Sequence, residues 1–95
     1  KLGGKRYKVV EVESLKSPGG RSMMGRLDVD KKLVSVATHN ASTKRKYDKG
    51  EVANTFLHEL THAILFDMDH KLATDECFVT NFADRLQEVL ETFKY

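Results

Sequence analysis

The hydrophobic rhythm of the chain changes once, close to residue 48. Before that point apolar residues come in short runs broken by charge; after it they recur at steps of three and four. Between Tyr7 and Leu15 the apolar residues Tyr7, Val9, Val10 and Val12 stand among charged neighbours, which reads as a strand. Ser17-Pro18-Gly19-Gly20 is a loop by composition. Met23 to Val29 and Leu33 to Ala37 flank the short polar turn Asp30-Lys31-Lys32, the pattern of a β-hairpin. Asp48-Lys49-Gly50-Glu51 then has the form of a capping box, with Asp48 as N-cap. From there to about Met68 the chain reads as one helix, and no Gly or Pro interrupts it between Glu51 and Lys71. A turn over Asp69 to Ala73 follows, with Thr74 as the expected N-cap of a second helix over about 75–93. Phe78, Phe82, Leu86, Val89, Leu90 and Phe93 form one stripe along it, read as the face that packs into the core.

These elements predict an α+β fold. A small antiparallel sheet of about three strands, within residues 5–38, packs on the two helices in a single domain spanning 1–95. Ninety-five residues bury only a limited core, so a bound metal would matter for stability. With 40% apolar and 32% charged residues, the composition is that of an ordinary soluble globular protein rather than a disordered chain. One cysteine, Cys77, excludes an internal disulfide and fits a reducing, cytoplasmic compartment. No apolar run approaches the ~18 residues that span a bilayer, and the opening KLGGKR lacks the apolar segment of a signal peptide.

Charge is unevenly spread. Residues 1–50 carry 13 Lys/Arg against 5 Asp/Glu, whereas residues 51–95 carry 3 against 9. We read this as solvated surface plus attraction between the two halves, and Lys44-Arg45-Lys46 as a solvated loop before the helix. Nucleic acid is therefore not the expected partner.

Candidate chemistry lies inside the first helix, at His58-Glu59-Leu60-Thr61-His62. Residues four apart share a helix face, so His58 and His62 can point two imidazoles at one metal ion. Glu59 sits about 100° round from His58 at ~3.6 residues per turn, outside the coordination shell but beside it. Phe56, Leu57, Leu60, Ala63, Ile64, Leu65, Phe66 and Met68 surround the motif, as in a buried helix. Two histidines there need partners. The pattern supplies two nitrogen ligands and a carboxylate base for a zinc hydrolase. The alternative is a pair of hydrogen-bonded core histidines with Glu59 exposed.

The run His58 to Ile64, HELTHAI, resembles the zinc helix of gluzincin metallopeptidases. The wider order, a short strand-rich region, the zinc helix and a second amphipathic helix carrying Asp75-Glu76, is similar to the compact phage- and mobile-element-associated zincins of the ImmA/IrrE type. That resemblance covers about residues 25–90. It implies a zinc peptidase domain with His58 and His62 as ligands, Glu59 as base, and a peptide or protein substrate; a strand of the first half would then bind an extended peptide by strand addition.

A catalytic zinc site takes three protein ligands and leaves one position open. Glu76 is the favoured third ligand, because it lies in the first turn of the second helix about 90° from the centre of the apolar stripe. The resemblance points the same way, since gluzincins take their third ligand from the following helix. His70, Asp75 and Cys77 are the rivals. His70 is two residues later than the third histidine of metzincins and has no glycine at Leu65 to turn the chain back; Asp75 points roughly 100° from Glu76; Cys77 reads as a small buried hydrophobe. Thr80 stands where thermolysin-like patterns have a supporting aspartate, leaving Asn81, Asp84 or a main-chain carbonyl to orient a zinc histidine. His39, Tyr47 and Tyr95 are the donors available to stabilise a transition state. Two other functions stay open: a metal-stabilised binding module without turnover, and a nucleic-acid-associated protein using the basic first half.

Overall fold

Strands precede helices in the computed structural model, which describes residues 2–93. The order is β1 (Lys8–Val12), β2 (Leu15–Lys16), β3 (Ser22–Met23), β4 (Gly25–Asp28), β5 (Leu33–Ala37), α1 (Lys49–Asp67), a short 3₁₀ helix (Lys71–Thr74) and α2 (Glu76–Thr92). The fold is α+β, as the pattern predicts. The expected hairpin is present: β4 and β5 pair antiparallel, with Gly25 opposite Val36 and Leu27 opposite Val34. Its turn is closed by Asp28, whose side chain accepts from the Lys31 amide at 2.9 Å, and by Lys32 in the left-handed region at φ 52°.

One ladder differs from the all-antiparallel expectation. β1 pairs with β5 in parallel, Val10 opposite Ser35, so the three-stranded sheet runs β1-β5-β4. The cause is topological. β1–β2 and β3–β4 are the two arms of one long hairpin, joined at the outer end where Leu15 pairs with Met23 and Lys16 with Ser22. At the inner end the arms splay, and β5 enters between them, parallel to one and antiparallel to the other. This central strand carries the sheet's buried residues, Val34, Val36 and Ala37.

The capping box forms as the sequence requires. The Glu51 amide donates to Asp48 Oδ1 at 2.8 Å, and the Asp48 amide donates to Glu51 Oε1 at 3.0 Å. Arg45 adds two bonds to the Glu51 carboxylate, 3.1 and 2.9 Å, and its guanidinium lies 5.2 Å from the centre of the Tyr47 ring. The hydrogen bond from Arg45, reinforced by the Asp48 amide, holds the Glu51 carboxyl at about 2 against an ordinary 4.5. A depressed carboxyl stabilises the fold above its unfolded pKa and loses that contribution as pH falls through the folded one. Urea unfolding of the parent and of Glu51→Gln should therefore show a stability gap that is full above pH 4.5 and closed near pH 2. Asp48→Ala, which removes the cap, is expected to cost roughly 1 kcal/mol at neutral pH.

α1 is buried nearly all round; between Glu51 and Leu65 only Ala53 is exposed. α2 is rotated relative to the predicted stripe. Val79 and Ala83 are fully buried, Phe78 and Leu86 half-buried, and Phe82, Val89, Leu90 and Phe93 are 47%, 52%, 61% and 64% exposed. Small residues four apart let α2 approach α1 closely, where a row of phenylalanines would hold it off. The rotation is pinned by Asn54 of α1, which donates to Asp84 Oδ1 and Gln87 Oε1 at 3.0 and 2.7 Å, and by Gln87, which donates to the Gly50 carbonyl at 2.8 Å. Two further expectations change. Asp75, not Thr74, is the N-cap of α2, accepting from the Phe78 amide at 3.0 Å, because Thr74 closes the 3₁₀ helix. Cys77 is exposed rather than buried, since the same rotation turns it outward. Among the described residues no helix is long and apolar enough to cross a membrane.

Candidate metal centre

Three elements converge on a cleft of about 650 Å³. α1 forms its floor with Thr55, His58, Glu59 and His62; β4 and the residues flanking it form one wall; Ala73, Thr74 and Glu76 form the other. The 100° step between His58 and Glu59 divides their tasks. His58 and His62 face the start of α2, while Glu59 lies against β4, next to Gly25.

Glu76 reaches both rings. Its Oε2 lies 3.0 Å from His58 Nε2 and its Oε1 2.8 Å from His62 Nε2. The two Nε2 atoms are 3.2 Å apart. These three residues form the one group of three metal-ligating side chains among the described residues. The other candidates are occupied elsewhere. His70 Nδ1 accepts from the Leu72 amide at 3.0 Å, Asp75 caps α2, and Cys77 Sγ accepts from Asn81 Nδ2 at 3.6 Å.

The donor set fits zinc on two counts. Donors about 2.1 Å from a tetrahedral ion are roughly 3.4 Å from one another, and one ligand atom from each of the three side chains lies within 4.8 Å of the other two. The second count is the placement of protons. His62 Nδ1 lies 2.7 Å from the Ala73 carbonyl and donates to it, so a neutral ring turns the lone pair of Nε2 towards a carboxylate oxygen 2.8 Å away. Two lone pairs at that separation repel unless a proton or a cation lies between them. Of the groups that the sequence left open to orient a histidine here, the Ala73 carbonyl is the one bonded to His62. Asp84 is bound to Asn54 instead, and Asn81 to the Cys77 carbonyl.

Burial raises the Glu59 carboxyl above its ordinary value; its neighbours His58 and His62 draw it part of the way back, and Glu76 adds to the rise. His39 and Tyr47 do not line the cleft. His39 is bonded to Thr38 Oγ1 at 2.8 Å, and Tyr47 is buried and lines a separate groove between β1, β5 and the start of α1. Tyr95 lies outside the described residues. Asn54, Arg26 and Thr74 do line the cleft. Asn54 had a legible signal, a polar residue four before His58 on an apolar helix, whereas nothing in the local pattern marks Arg26, Thr74 or Gly25. No protein-family model matches the chain, nor does any curated protein or solved structure.

Proposed function

We propose that the chain is a zinc-dependent peptidase domain of the compact gluzincin kind, related to the phage- and mobile-element-associated zincins. One observation carries this reading: His58, His62 and Glu76 present three donors to one point, with a half-buried carboxylate, Glu59, on the adjacent face of the same helix. When bound there, zinc would supply a Lewis acid that acidifies water and polarises a carbonyl. His58, His62 and Glu76 would hold the ion, and the Ala73 carbonyl fixes the tautomer and orientation of His62. Glu59 takes the proton of the attacking water and returns it to the leaving amine. Its raised pKa suits the first half of that task, because a carboxylate whose charged form is disfavoured by burial is a stronger base than one of ordinary acidity. β4 is an edge strand beside the base, so an extended peptide can add to it. The free thiol of Cys77 fits a cytoplasmic location.

Metal analysis together with a peptide-library digest tests the proposal. We expect one zinc per chain, lost in His58→Ala and His62→Ala, and chelator-sensitive cleavage by the parent. A second reading, a metal-stabilised binding module, is favoured by the absence of His39 and Tyr47 from the cleft lining. Stoichiometric zinc with no cleavage of any library member would select it. The basic first half offers less to a nucleic acid than its charge suggests, because Arg45 is engaged by Glu51.

A further inference from the structure

The floor and one wall of the cleft meet at a residue without a side chain. Thr55 and Glu59 are four apart on α1, share a face, and press against Gly25 of β4. A Cβ at Gly25 would lie 2.5 Å from Thr55 Cγ2, 3.0 Å from Glu59 Cγ and 3.2 Å from Glu59 Oε2. All three separations are shorter than ordinary van der Waals contact between these atoms. Neither partner is free to yield. Gly25 is paired with Val36 of the central strand, itself only 2% exposed, and the ladder continues through the Ala37 amide, which donates to the Met24 carbonyl at 2.7 Å. Thr55 is held by its hydroxyl, which donates to the Glu51 carbonyl at 2.9 Å.

We propose that Gly25 is the positioning residue for Glu59. Its missing side chain opens a slot between strand and helix in which the carboxylate lies, and the slot fixes how far the base stands from a peptide laid along β4. This rests on the peptidase reading for its catalytic consequence, but not for its geometry. Gly25 touches none of His58, His62 and Glu76 at the distances above, so filling the slot should displace the base and leave the donor set intact.

Gly25→Ala alone meets two obstacles, the Thr55 methyl and Glu59. Thr55→Ser removes Cγ2 and keeps the hydroxyl bond to Glu51, so G25A/T55S compared with T55S isolates the contact with Glu59. We expect G25A/T55S to bind one cobalt(II) with the same visible spectrum as T55S, to show the Glu59 carboxylate moved out of the slot in its crystal structure, and to lose about 10–100-fold in kcat with KM within about twofold, the scale of an ångström's misplacement. Unchanged kcat, a Glu59 still in place, or an altered cobalt spectrum would each overturn the proposal. If the zinc-loaded parent cleaves no peptide, the peptidase reading fails, and the position of Glu59 in the variant crystal still decides the role of Gly25.

Discussion

Glu59→Gln should lower kcat for peptide hydrolysis by about 10²–10⁴-fold and leave the zinc content unchanged. The amide has the shape of the carboxyl but accepts no proton, and Glu59 is not among the three converging donors. The same substitution has an opposite effect on stability. The folded carboxyl holds its proton more tightly than an unfolded one, because burial disfavours its charged form. Its ionisation therefore opposes folding, and the stability it contributes at low pH is lost as pH rises through the raised folded pKa. In metal-free protein Glu59→Gln should be more stable than the parent at pH 7, with the difference gone well below the ordinary value of 4.5. Chemical denaturation at the two pH values, beside a turnover assay, measures both. A glutamine variant that cleaves the true substrate at the parent's rate would remove Glu59 from the mechanism.

The second large effect is on melting temperature. Free zinc at 100 times its Kd adds about 2.7 kcal/mol to a protein that binds it only when folded. For a domain of this size that corresponds to a rise on the order of 10–20 °C. The gain should be large in proportion, because the core is small: Val34, Val36 and Val79 are the largest fully buried side chains among the described residues. The metal would also tie α2 to α1 at the point where the chain turns between them. A melt with free zinc at that excess over Kd, and one with a chelator, gives the shift; His62→Ala should show none. If the parent's melting point ignores both metal and chelator, the three side chains are a hydrogen-bonded cluster and no more.

Much of this arrangement could be read before any coordinates. The capping box placed the start of α1, since Asp48 and Glu51 satisfy one another's backbone amides and need nothing distant. The spacing of His58 and His62 put both rings on one face, and helical-wheel angle put Glu76 at the margin of α2, where it meets them. What escaped was set by contacts far apart in sequence. The parallel β1–β5 ladder joins residues 25 apart, such as Val10 and Ser35, and no local pattern encodes it. Periodicity picked out the large apolar residues of α2, yet helix contact was decided by small ones, Val79 and Ala83, and by the bonds of Asn54. The support for His62 comes from the Ala73 carbonyl, a group that every residue carries and that no sequence motif can mark. Gly25 was invisible for the converse reason, since its role is to contribute no side chain.

The splayed hairpin bears on how the cleft comes into being. Its two arms can zip together at their outer end early, being close in sequence, but β4 becomes a wall only once β5 has slid between them. Residues up to Asp30 include β4 but not β5, so they carry the edge of the trough without the strand that backs it. The surface on which a peptide would lie thus needs residues from both sides of the Asp30 turn, and the base on α1 abuts a strand whose place is fixed by its pairing with β5.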